Sequence, residues 1–209
     1  MNWADMTIRE FQAALASSSP TPGGGTASAV ALGQAASLAI MVCDLTLGKE
    51  KWREGWAISE KIQAMAVPIM SRSNELATED SDAFARVMEG FGLPKTTDEE
   101  KSHRRLVIRN ATLDAAIVPF ETASLAMNLL AALPELAHKG NANAVTDVGV
   151  AGLLASAAAK GAVFNVEINL DSLPETMGEL IRQELPVLKE NARIASRLVM
   201  DAVRERMGQ

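Results

Sequence analysis

The chain has 209 residues, 48% hydrophobic and 22% charged, with a formal net charge of −6. That is enough for one domain with a full apolar core, taken as residues 1–209, and the acidic balance, read as having no basic cluster, argues against nucleic-acid binding. Aromatic content is 4% with no Tyr, so Ala, Leu and Met carry the apolar mass and favour helix, while the single cysteine, Cys43, excludes an intramolecular disulfide and any multi-cysteine metal site.

The opening MNWADMTIREFQ is interrupted by Asp5, Arg9 and Glu10, so no secretory signal is read there and a cytoplasmic protein is expected. Residues 4–16 predict a short amphipathic helix through Met6, Phe11 and Leu15, broken by SSSPTPGGG. A second helix is expected from Thr26 to Leu47, ending at Gly48. Its apolar run is of borderline length for a membrane span. Thr26, Ser28, Gln34 and Ser37 recur through it, and a helix buried on all sides within a protein fits better, so no membrane partner is expected.

Residues 50–89 repeat apolar positions at helical spacing, with Pro68 as a possible kink. Residues 98–137 do the same, opened by a Thr97 N-cap with Glu100 three positions on. A second small-residue helix is expected over 143–164, an extended or irregular piece over NVEINLDSLP, and a final amphipathic helix over 173–206. The predicted fold is an all-α helical bundle, with two small-residue helices at the centre wrapped by long amphipathic ones.

Several groupings bear on chemistry. GGGTASA lacks the Lys-Ser/Thr of a phosphate loop and any preceding strand, which leaves a backbone open to close approach at a helix N-terminus. The two histidines sit in Glu-x-x-His pairs, Glu100–His103 and Glu135–His138. Both are placed at charged helix ends rather than in a bundle core, so no metal site is assigned. Asp147 lies one turn into an apolar helix, where a carboxylate needs a partner or a chemical role. Glu79, Asp80 and Asp82 cluster on the third helix, read as a solvated acidic face with Arg86 four residues after Asp82.

Together, SPTPGGG with MVCDLTLGKEKW, DSDAF followed by GLPKTTDEEK, and KGNANAVTDVGVA ending in NVEINL resemble the cyclodeaminase/cyclohydrolase family. That family comprises the C-terminal half of formimidoyltransferase-cyclodeaminase and stand-alone methenyltetrahydrofolate cyclohydrolases. The resemblance implies an all-helical homodimer acting on a tetrahydrofolate derivative, with no cofactor beyond that substrate. It implies Asp80, Lys95 and Asp147 as catalytic residues and Gly23, Gly24, Gly25, Asn141, Asn143 and Asn165 as substrate-binding ones. Where the family has Asn before Leu-Thr this chain has Asp44, and Glu50 interrupts a basic run, which weakens a contact there with a polyglutamate tail. The expected reaction is hydrolysis of 5,10-methenyltetrahydrofolate to 10-formyltetrahydrofolate. The alternatives are a cyclodeaminase releasing ammonia from 5-formimidoyltetrahydrofolate and a non-catalytic folate-binding dimer.

Overall fold

The computed structural model describes residues 2–208, and among them there is no β-strand. Six α-helices follow one another: α1 Ile8–Leu15, α2 Gly24–Thr46, α3 Trp56–Gly92, α4 Asp98–Lys139, α5 Val145–Asp171 and α6 Glu179–Met207. Short 3-10 turns cover Trp3–Asp5, Glu50–Gly55 and Ala142–Ala144.

The first predicted helix begins later than expected. Met6 is extended, and Thr7 caps α1 in a box with Glu10, satisfying backbone donors that would otherwise be orphaned. Thr97 and Glu100 make the same box at the start of α4, as the spacing predicted. The larger departure lies over NVEINL, which is helical and inside α5. Asn165 and Asn169 are tolerated because their amides donate to the carbonyls of Gly161 and Asn165 one turn back, and Asn169 also reaches Ala115 O on α4 at 2.8 Å. Residues 173–178 instead form the connection to α6, ending on Gly178 at φ +71°. Pro68, Pro119, Pro134 and Pro186 all lie within continuous helices.

The main core joins Leu32 and Ala36 of α2 with Ile62 of α3, Leu133 of α4, Val148 of α5 and Val199 of α6, all fully buried. Small residues let α2 and α5 run close and antiparallel: a side chain on Gly161 of α5 would strike Ser28 of α2. These two helices sit at the centre, but neither is enclosed on all sides. α2 exposes Met41 and Leu45, and α5 exposes Val150, Leu153, Phe164 and Ile168, two of them about 70% accessible. The spacings of three and four along α5 put these on one strip. The apolar stretches of α2, α4 and α5 are long and apolar enough to cross a membrane by length and composition alone, with 44–56% of each buried inside the bundle.

α3 and α4 are joined where Arg72 holds Glu121 through Nε and Nη2, at 2.8 and 2.9 Å, and also binds Glu79 and Glu75. At 42 residues, α4 is about 63 Å long against about 35 Å for α2. The α3–α4 hairpin therefore projects past the start of α2. The two Glu-x-x-His pairs stand at opposite ends of α4, about 50 Å apart, and so belong to no common site.

Candidate functional site

The three carboxylates clustered on α3 in sequence part company in space. A helix turns about 100° per residue, so Glu79 faces Arg72 and Glu121, Asp82 faces solvent, and Asp80 turns towards the first turn of α2. Asp80 is half-buried there. Its Oδ2 accepts the Thr26 hydroxyl at 3.0 Å, and the Thr26 backbone N–H also faces it. The approach depends on Gly25: a side-chain carbon there would collide with the Asp80 carboxylate. Burial pushes the Asp80 carboxyl above its ordinary value, and the two contacts from Thr26 only partly oppose this. The group is thus a desolvated carboxylate held at a helix N-terminus.

The neighbouring groups are polar and small. Gly23 is the N-cap of α2 and Gly24 is exposed. A side chain at Gly24 would meet Asn165 Nδ2 of α5 at 3.8 Å, an ordinary contact. Gly24, Gly25, Asp80 and Asn165 therefore come together where α2, α3 and α5 meet.

The remaining predicted residues lie elsewhere. Asn141, Asn143 and Asp147 stand by the other end of α2, beside Thr46, about 33 Å from Gly24 by helical rise. Asn141 is buried. Its N–H donates to Thr46 Oγ1, its amide nitrogen to Leu45 O, and its side-chain oxygen accepts Asn143 N–H, each at 3.0 Å. Asn143 is exposed, and Asp147 is half-buried in the first turn of α5. Lys95 is exposed in the loop beyond Gly92, the end of α3, which is itself about 18 Å along the helix from Asp80. Near this second end of α2, Glu50 pairs with Arg53 while Lys51 lies over the Trp52 ring.

The matching family model, described as formiminotransferase-cyclodeaminase, covers residues 7–185. The chain belongs to this family. Among its relatives is a methenyltetrahydrofolate cyclohydrolase of Methylorubrum extorquens, 38% identical over 169 residues, which are 81% of each chain. A formimidoyltransferase-cyclodeaminase of Mus musculus is 30% identical over 97% of this chain but only 38% of its own length. A crystal structure of formiminotetrahydrofolate cyclodeaminase from Thermotoga maritima superposes with a TM-score of 0.80 at 27% identity, covering 97% of this chain and 96% of that one.

Within this family fold, sequence reasoning missed three sets of residues. The first is the hydroxyl pair behind Asp80: Thr26 Oγ1 lies 3.0 Å from Ser81 Oγ, which accepts the Trp3 indole N–H at 2.9 Å. Their signal was adjacency alone, Thr26 after the glycines and Ser81 after the aspartate. The second is Thr46, which holds the Asn141 turn. The third corrects the reading that the chain has no basic cluster. Lys95, Lys101, Arg104, Arg105 and Arg109 line one groove of about 440 Å³ at the projecting end of α3 and α4. Spacings of three to five along α4 collect Lys101, Arg104, Arg105 and Arg109 on one side, and Lys95 joins them from the loop across Asp98, Glu99 and Glu100. Cys43 is buried, its thiol pushed up to about 11 chiefly by desolvation, as befits a packed side chain.

Proposed function

We propose that this protein is a methenyltetrahydrofolate cyclohydrolase, an enzyme of one-carbon metabolism that adds water to 5,10-methenyltetrahydrofolate and yields 10-formyltetrahydrofolate. The observation that carries the reading is Asp80: a desolvated carboxylate at the mouth of a glycine turn, with burial and Thr26 as the influences upon it. The substrate is an amidinium cation, which a carboxylate attracts. A raised pKa also makes Asp80 a stronger base for the attacking water. Asp80 takes one proton as oxygen bonds to the methenyl carbon. The tetrahedral adduct then breaks its bond to N5, which leaves with a proton, and one proton is released overall. Asn165 and the backbone of Gly23, Gly24 and Gly25 are assigned to substrate binding. The basic groove around Lys95 suits the carboxylates of a glutamyl tail.

The protein is proposed to act as a cytoplasmic homodimer, without metal, redox cofactor or membrane. The apolar strip of α2 and α5 is the face assigned to the second copy. Packed antiparallel across that strip, each copy would carry its Asn141–Asp147 end towards the partner's Asp80 end. Asp147 and Asn143 would then serve the neighbouring subunit's site. Mixing inactive Asp80→Asn and Asp147→Asn chains should then restore about a quarter of the native activity, through heterodimers with one intact site. No recovery would refute the shared site.

The alternative is formimidoyltetrahydrofolate cyclodeaminase, favoured by the end-to-end match with the Thermotoga maritima structure. Methenyl absorbance separates the two. It should fall when purified protein meets the methenyl compound, and a rate no faster than spontaneous hydrolysis would sink the cyclohydrolase reading. A rise with the formimidoyl compound would establish the alternative.

A further inference from the structure

The hydroxyl pair behind Asp80 forms a chain with a fixed direction. The Trp3 indole nitrogen can only donate, and it donates to Ser81 Oγ at 2.9 Å. The Ser81 hydroxyl, accepting at its oxygen, has its own proton to give to Thr26 Oγ1 at 3.0 Å. Thr26 in turn donates to Asp80 Oδ2 at 3.0 Å. Ser81 and Thr26 are buried, so water does not compete freely for these protons. Trp3 is seated by packing: it lies against the buried cluster of Ala29, Leu76 and Ala77, and its ring meets Phe11 edge-on. We infer that Trp3 and Ser81 are positioning residues for Asp80: the indole N–H occupies one lone pair of Ser81 Oγ and favours the Ser81 proton going to Thr26, whose own proton then goes to the carboxylate. This rests on the proposed role of Asp80 as base.

With the indole proton lost, Ser81 is free to turn and accept from Thr26, and Asp80 loses a donor part of the time. Losing a donor to the charged form raises a carboxyl pKa, and connected bonds strengthen one another. Other charges do not account for the control of Asp80. On α3 and α4, Arg72, Glu79 and Glu121 are committed to one another, and Asp82 is exposed. On α5, Lys160 is exposed and Glu167 pairs with Lys189; in the N-terminal turn Asp5 is exposed. α2 carries no charge before Asp44.

The test uses Trp3→Phe, which keeps a ring, and Ser81→Ala, which carries the test if the first variant folds poorly. Each is titrated by carbon-13 carboxyl NMR, with Asp80→Asn identifying the resonance, and its kcat/KM is followed against pH. The Asp80 midpoint should rise by about 0.5–1 unit in Trp3→Phe, and by less in Ser81→Ala, which removes the polarising donor but also the acceptor that competes for the Thr26 proton. The acid limb of kcat/KM should move with it, lowering the rate about three- to tenfold below the limb. A merely structural role would scale the rate equally at every pH. Unchanged midpoints in both variants would overturn the inference. A wild-type protein without turnover would remove the proposed activity, and the NMR midpoints alone would then decide the relay.

Discussion

The two ends of α2 use polar residues in opposite ways. At the Thr46 end, donors and acceptors are matched: Thr46 holds the buried Asn141, and Asn141 holds Leu45 and the exposed Asn143. At the Gly24 end, an indole and two hydroxyls form a chain that ends on a single carboxylate, which has burial but no cation to balance it. A closed network fixes backbone geometry, whereas a carboxylate with a raised pKa and partial access is equipped for proton transfer. Motif residues occur at both ends, so a motif by itself does not say which of these roles a residue plays.

Substitutions at the two ends should separate these roles. Asp80→Asn should have the largest effect, lowering kcat/KM by about 10²–10⁴-fold in the methenyl assay. It should also leave Tm unchanged or raised at neutral pH. A carboxyl whose folded pKa lies above its unfolded value, ordinarily 3.8, contributes fully only below that value, and the contribution is lost as pH rises through the folded pKa. The Tm advantage of Asp80→Asn should therefore shrink as pH falls towards 4; an advantage that grows in acid would break the comparison. Gly25→Ala comes next. Its added carbon displaces Asp80, so about 10²-fold of rate should be lost, along with about 1–3 kcal/mol of stability in denaturant titration.

Thr46→Val should behave in the reverse sense. It leaves the buried Asn141 N–H without its acceptor, costing about 1–3 kcal/mol, while kcat stays near the native value. A kcat loss beyond the loss of folded protein would show that the Asn141 turn, besides holding the backbone, positions the Asn143 and Asp147 proposed to serve the neighbouring subunit's site. The smallest effect is expected from Gly24→Ala, which has room for its methyl group. Stability should gain about 0.5 kcal/mol from the stiffer unfolded chain, and a rise in KM at constant kcat would indicate substrate over this backbone.

Much of the helix order was legible because apolar spacing and caps are local signals. The Thr97–Glu100 box is one case. The tail of α5 was not legible, because Asn165 and Asn169 favour turns unless carbonyls one turn back and on α4 accept their amides. Asp80 and Gly25 became candidates only through family resemblance: nothing in their separation along the chain announces that they touch. Thr26 and Ser81 were passed over because a hydroxyl has no charge or spacing rule to mark it. Likewise, the groove at Lys95 depends on the α3–α4 connection, which brings Lys95 beside Lys101, Arg104, Arg105 and Arg109 although Asp98, Glu99 and Glu100 stand between them in sequence.

The contact between Gly25 and Asp80 also makes the two positions a single volume shared by distant parts of the chain. A larger residue at 25 is sterically admissible only with a smaller one at 80. Gly25→Ala combined with Asp80→Ser should therefore recover stability that Gly25→Ala loses alone, without recovering turnover. The chemistry at residue 80 thus limits which residues can occupy the first turn of a helix far upstream.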